Sequence, residues 1–356
     1  MGGIILEKMN AAMFYGPGDV RFETIEIPKP KAGEVLVKVR AALTCGTDIK
    51  TYQRGHPAII KTIPSTFGHE FSGEIVEVGD GVKRFKPGMR VACCNAAPCQ
   101  KCYFCKNNQQ NLCDDLLILN GAYAEYIVVP QRLVELNLLE IPDHLSYHEA
   151  ALAEPLGTAV HAVRLTKVKQ GDTVVVIGSG PLGLMITRLS FLQGADVIQM
   201  GKGEERLELA KKFGAKEIID IAKYRTIEEQ VKKARSLTED SRGADVVIEA
   251  VGKTEAWEEA LKIVRKGGIV TFFGGCKGGT TITVDTVQLH YDELNLLGVF
   301  HQTPNDFRRS LKLLSTRLVD GREFVKETIS LCNLVDAFTW VKDLKAIKYA
   351  IDPTKI

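Results

Sequence analysis

The chain has 356 residues, 45% of them hydrophobic and 25% charged, a globular composition that excludes a disordered or fibrous protein and a length that favours two domains. Lys and Arg number 46 against 44 Asp and Glu, a net charge of +2 with no basic run, so nothing points to a nucleic-acid surface. The longest apolar stretches, at 174–177 and 294–300, fall far short of the roughly 20 residues that span a bilayer.

Residues 1–10 lack the basic start, apolar core and small-residue cleavage site of a secretory leader, so the expected compartment is the cytoplasm. From about residue 11 to 130, short alternating runs at 35–39, 74–78, 90–92 and 123–129 are separated by turn signals at Pro17-Gly18, Gly79-Asp80 and Pro87-Gly88. That pattern predicts a β-rich unit. From about Gly171 the texture changes. Residues 172–177 (DTVVVI) predict a buried strand, and 181–193 a helix. Strands follow at 196–200, 217–220, 245–250 and 269–273, and helices at 204–213, 227–236 and 255–264. Strands alternating with helices predict an α/β doubly wound parallel sheet. A helix at 306–314 opens a tail that the sequence assigns to neither domain.

Gly178-Ser179-Gly180-Pro181-Leu182-Gly183 is a G-x-G-x-x-G that follows the 172–177 strand and opens a helix, the context of a dinucleotide site. Gly178 suits the tight turn, Gly180 the approach of a pyrophosphate and Gly183 close helix–strand packing, while the helix N-terminus attracts the anion. Where NAD-binding sites place a carboxylate for the ribose hydroxyls, this chain has Gly201, followed by Lys202, Gly203, Glu204, Glu205 and Arg206. A glycine there removes repulsion toward a 2′-phosphate, and Lys202 and Arg206 offer it cations, so the reading favours NADP over NAD. Glu204 is the competing feature, since it can slide into the acidic role.

Four of the nine cysteines, Cys99, Cys102, Cys105 and Cys113, fall within fifteen residues of a polar loop. Thiolates at that spacing predict a closed structural zinc site. Cys93 and Cys94 just outside it read as packing residues. A second set is scattered: Cys45, His69 beside Glu70, and Glu154. A Cys, a His and a carboxylate suit a catalytic zinc with an open fourth position. Singly they also read as a buried thiol, a hydrogen-bonded histidine and an exposed helix-start carboxylate, and the residues alone do not bring them together.

The Gly68-His69-Glu70 motif with Gly73 and Gly79, the four-cysteine loop and the later glycine turn resemble, in that order, the zinc-dependent medium-chain dehydrogenase/reductase superfamily. The Ala153-Glu154-Pro155-Leu156 segment resembles its sorbitol dehydrogenase and threonine dehydrogenase branch. The likeness runs from about Lys8 to the end. It implies a GroES-like catalytic domain, residues 1–157 and 296–356, with a Rossmann domain at 158–295. It implies Cys45, His69 and Glu154 as catalytic zinc ligands, Glu70 as a carboxylate that approaches the metal or holds its water, and the four clustered cysteines as structural zinc ligands. Zinc would act as a Lewis acid on a substrate hydroxyl while a nicotinamide takes hydride. Thr47 matches the hydroxyl that carries the proton away. The family's next relay residue, a His, is here Lys50; His56 or solvent can take that step, and Lys50 can instead meet cofactor phosphate.

The activity implied is oxidation of a secondary alcohol, a polyol or sugar alcohol, or reduction of the ketone, by a homotetramer or homodimer. The edge for subunit pairing would be 294–300, which also reads as an interior strand. Threonine or a sugar-alcohol phosphate are the competing substrates, the latter if Lys50 and Arg54 are more than solvated. A non-catalytic dinucleotide-binding relative would be expected to lack Cys45, His69 or Glu154; all three are present. A zinc-storing or redox-sensing protein leaves the glycine turn unexplained.

Overall fold

The computed structural model describes residues 8–57 and 59–355, so the leader reading of residues 1–10 lies, up to Glu7, outside the described residues. Two units form: one runs to Gly157 and resumes at Gln302, the other is Thr158–His301. The first begins with strands β1 (Lys8–Gly16), β2 (Asp19–Glu26) and β3 (Val35–Leu43), helix α1 (Gly46–Arg54), and strands β4 (Ser65–Thr66), β5 (Phe71–Val78), β6 (Arg90–Cys93) and β7 (Ala96–Ala97). Then come α2 (Tyr103–Lys106), β8 (Leu117–Ile118), β9 (Tyr126–Val129), α3 (Gln131–Leu136), β10 (Leu138–Glu140) and α4 (Tyr147–Ala151). The β-rich reading holds, and the predicted strand at 123–129 begins only at Tyr126, where pairing with β3 starts; before it the chain meets β1 through a single bridge, Ala11 with Ala124.

Helix α5 (Ala153–Thr166) carries the chain from one unit into the other. The second unit alternates β11 (Thr173–Ile177), α6 (Pro181–Leu192), β12 (Asp196–Gly201), α7 (Glu204–Lys212), β13 (Ala215–Asp220), α8 (Ile227–Ser236), β14 (Ala244–Glu249), α9 (Thr254–Ile263), β15 (Val264–Phe272), α10 (Thr286–Tyr291) and β16 (Asn295–Gly298). All six strands are parallel, as the alternation predicts, and their order, β13-β12-β11-β14-β15-β16, is the Rossmann arrangement that the resemblance implies. Valines 174–176 are fully buried at the sheet's centre, which is why that strand is apolar on both faces. The boundary read between residues 295 and 296 falls inside β16, whose register with β15 pairs Val270 with Leu296 and Phe272 with Gly298. The apolar run at 294–300 is thus an edge strand of this sheet, with Phe300 exposed just beyond it.

The tail, α11 (Pro304–Ser315), β17 (Val325–Ser330), α12 (Leu334–Lys342) and β18 (Lys348–Asp352), returns to the first unit. β18 pairs antiparallel with the end of β3, in a sheet ordered β10-β6-β5-β3-β18-β17 with β9 also on β3. Phe67, Phe71, Tyr123, Leu133, Leu334 and Phe338 lie in the core beneath it. Among the described residues, no helix is long and apolar enough to cross a membrane.

Candidate active site

Cys45 stands where β3 ends and α1 begins, and its Sγ accepts the Thr47 N–H at 3.4 Å, so the thiol caps the helix start. His69 and Glu70 enter β5 from Gly68, whose φ of +94° and close approach to the Tyr123 ring leave no room for a side chain. These turns bring Cys45 Sγ, a His69 ring nitrogen and a Glu70 oxygen within 4.8 Å of one another. Glu154, at the start of α5, lies outside that set but close enough for the charges of His69 and Glu70 to act on it. It is 4% exposed, which removes the alternative of an exposed helix-start carboxylate.

His69, Glu154 and Glu70 each have a buried partner that no motif announced. His69 Nδ1 lies 2.9 Å from Asp48 Oδ1, and an ionised carboxylate can only accept, so Nδ1 donates there and Nε2 is the nitrogen that a metal would take in exchange for its proton. Tyr123 Oη in turn donates to Asp48 Oδ2 at 2.6 Å. Burial alone would lower the His69 ring, but Asp48 and Cys45 override it and hold the ring well above its ordinary value. Gln302 Nε2 donates to Glu154 Oε1 and to the Glu154 carbonyl, both at 2.9 Å. Lys348 Nζ reaches Glu70 Oε2 at 2.5 Å and the Thr44 carbonyl at 2.8 Å. Asp48 stands three residues after Cys45 in the first turn of α1; Gln302 and Lys348 carry no local signal at all.

The group fits a zinc ion. One sulfur, one imidazole and carboxylates match the metal's ligand preferences. Glu70 Oε1 is buried with no hydrogen-bond partner, the state of a donor that a cation would satisfy. Burial pushes the Glu154 carboxyl up to about 7 against the pull of His69, a cost that a nearby cation relieves. Thr47 is half-buried on α1, and Lys50 one turn along. His56 lies near enough to His69 to feel its charge, and burial holds its ring below the usual range.

The four-cysteine loop closes on itself. Its sulfurs all lie within 4.8 Å, with Cys99 and Cys105 4.0 Å apart and Cys102 and Cys113 3.8 Å apart. A tetrahedron with zinc–sulfur bonds of about 2.3 Å has edges of about 3.8 Å. Backbone N–H groups, that of Lys101 foremost, bring the Cys99 thiol down to about 6, which favours the thiolate a metal needs. Cys93 and Cys94 are fully buried packing residues outside this cluster.

In the second unit, Gly178–Gly183 forms the turn from β11 to α6, with Gly180 capping the helix and Pro181 in its first turn. A Cβ on Gly183 would meet the Gly178 carbonyl at 1.8 Å, whereas Gly180 faces open space. Leu182 follows Pro181 in that first turn. Beneath the turn, buried Gln199 donates to the Gly178 carbonyl at 2.9 Å and accepts from Thr187 Oγ1 at 2.6 Å, a support absent from the motif. β12 ends at Gly201; Lys202 is exposed and Arg206 is buried in the first turn of α7.

The chain matches the alcohol dehydrogenase GroES-like domain over residues 31–143 and the zinc-binding dehydrogenase domain over 181–316. Sorbitol dehydrogenase of Bacillus subtilis strain 168 is 35% identical over 338 residues, 93% of each chain. L-threonine 3-dehydrogenase of Bacillus licheniformis is 39% identical over 267 residues, 73% of this chain and 74% of that one. A Sinorhizobium meliloti 1021 protein solved bound to NADP superposes with a TM-score of 0.88 at 30% identity, over 97% of this chain and 99% of that one. With the GroES-like sheet, the Rossmann sheet and two zinc-compatible clusters described, the chain belongs to the zinc-dependent medium-chain dehydrogenase/reductase superfamily, in its sorbitol and threonine dehydrogenase branch, and is an oxidoreductase.

Proposed function

We propose that this oxidoreductase interconverts a secondary alcohol of the polyol class and its ketone, using NADP in preference to NAD. The observation that carries the reading is the convergence of half-buried Cys45 with buried His69 and Glu70, and Glu154 beside them. Cys45, His69 and Glu154 would hold a catalytic zinc with Glu70 at its side, and Cys99, Cys102, Cys105 and Cys113 a structural one. Bound zinc would supply Lewis-acid polarisation of the substrate hydroxyl, and a bound nicotinamide the hydride acceptor. The Thr47 hydroxyl receives the proton leaving the substrate oxygen and passes its own toward His56 or solvent, Lys50 standing where the family's relay histidine would. Asp48 keeps the His69 proton on Nδ1, Gln302 orients Glu154, and Lys348 balances the Glu70 charge.

Gly178, Gly180, Pro181, Leu182 and Gly183 would seat the pyrophosphate, and exposed Lys202 with Arg206 the 2′-phosphate. The Thr158–His301 unit, six residues longer than the 158–295 read from sequence because β16 completes its sheet, is read as the dinucleotide domain and the remainder as the catalytic domain. Homodimers or homotetramers would pair through the edge strand β16, in the cytoplasm. The test is a rate screen of the zinc-loaded protein on three- to six-carbon polyols, their phosphates, threonine and simple secondary alcohols, with NAD and with NADP. A rate on a polyol with NADP supports the proposal. Turnover confined to threonine, or confined to NAD, would overturn the substrate or the cofactor half of it.

A further inference from the structure

We infer that Ser179, the central residue of the glycine turn, is a specificity-determining residue that keeps position 201 free of any side chain and so denies the site an NAD-type carboxylate. The inference deepens the NADP reading above and rests on it. Ser179 Oγ donates to the Lys202 carbonyl at 2.8 Å and accepts the Lys202 N–H at 3.0 Å. Both hydrogen-bonding roles of the hydroxyl are therefore spent on the residue that follows Gly201. Ser179 is 5% exposed and Gly201 is buried, so the clasp is internal rather than a solvated contact.

The clasp draws the ends of β11 and β12 into contact. A Cβ built on Gly201 would stand 2.4 Å from Ser179 Cβ, 2.4 Å from Ser179 Oγ and 2.8 Å from Ser179 N. Two of those atoms belong to a short side chain held in place by both of its hydrogen bonds to Lys202. An aspartate at 201, the residue that would bind ribose hydroxyls, is excluded by volume before charge is considered. The same two hydrogen bonds fix the Lys202 backbone while its side chain remains exposed, so one serine both removes the acidic option and presents the cationic one. Sequence reading treats Gly201 and Lys202 as two independent choices; the structure couples both to Ser179.

The test is calorimetric titration of the full-length protein with NAD and with NADP, as wild type, G201D, S179G and S179G/G201D. The expected result is that G201D weakens NADP at least tenfold with no gain in NAD, while the double variant binds NAD at least tenfold more tightly than G201D does. Should G201D fail to fold, G201A and S179G/G201A replace it: G201A lowers the Tm and S179G recovers part of the loss, since only the approach to Ser179 N then remains. G201D binding NAD as tightly as the double variant, or G201A leaving the Tm unchanged, would overturn the role of Ser179. A wild type that binds NAD more tightly than NADP would instead overturn the NADP reading, and the comparison of single with double variants would still decide the coupling.

Discussion

Lys348 Nζ lies 2.5 Å from Glu70 Oε2, a fully buried ion pair between residues 278 apart in sequence. Burial alone would lower the lysine, but Glu70 and Cys45 hold it above its ordinary value, so it stays charged beside the candidate metal group. Removing one member of a buried pair leaves the other charge uncompensated, at about 3–5 kcal/mol. Lys348→Met is expected to lower the Tm strongly, and Glu70→Gln added to it should recover part of the loss. An unchanged Tm in K348M would show that the pair contributes nothing.

Asp48 meets the candidate ligands through His69. Asp48→Asn offers Nδ1 an amide in place of a carboxylate and no longer fixes the proton there. Such outer partners typically account for about 10–100-fold in metal affinity. Competition with a chromophoric chelator should show a loss of that size for one zinc per chain, the cysteine-bound zinc being unaffected; equal affinity in D48N would refute the assignment.

The cysteine loop makes a separate prediction. Cys102→Ser removes a sulfur 3.8 Å from that of Cys113 and opens the cluster. Metal analysis is expected to find one zinc fewer per chain, with a lower Tm because the polar loop loses the ion that closes it. Full zinc content in this variant would mean that the four thiols do not share a metal.

A pH dependence follows from Glu259, 5% exposed on α9 with Oε1 unpaired, whose carboxyl burial pushes up to about 7. The folded chain then holds a proton that the unfolded chain releases near pH 4.5, so this site's contribution is full below that pH and is lost as pH rises toward 7. Glu259→Gln should raise the Tm at pH 8 and leave it almost unchanged at pH 4.5, the difference corresponding to on the order of 2 kcal/mol. The same Tm shift at both pH values would rule out the buried carboxylate as its source.

Legibility in the sequence tracked distance. The Rossmann strands were readable because each is a short apolar run bounded by turns, and the glycine turn because its spacing is local. α1 was not, since its nine residues, GTDIKTYQR, carry little apolar periodicity and the helix is set by its Cys45 cap. The candidate metal ligands were nameable from motifs, but their convergence was not, because it depends on the β3–α1 turn and on Gly68 meeting Tyr123. The supporting residues were hidden most completely. Gln302 reaches Glu154 across 148 residues and Lys348 reaches Glu70 across 278, and a lone polar residue in a tail gives no sign of such a partner.

That β18 pairs with Ala42 and Leu43 also dictates a schedule of assembly. During synthesis the edge of β3 just before Cys45 stays open until the last strand is made, while the Rossmann unit, contiguous in the chain, already has its strands to hand. An unpaired strand edge of that kind is the surface on which nascent chains stick to one another. The half of the molecule that carries the candidate metal ligands is therefore expected to be the slower and more chaperone-dependent half to mature, and loss of the β18 strand should leave a folded Rossmann unit attached to an unfinished site.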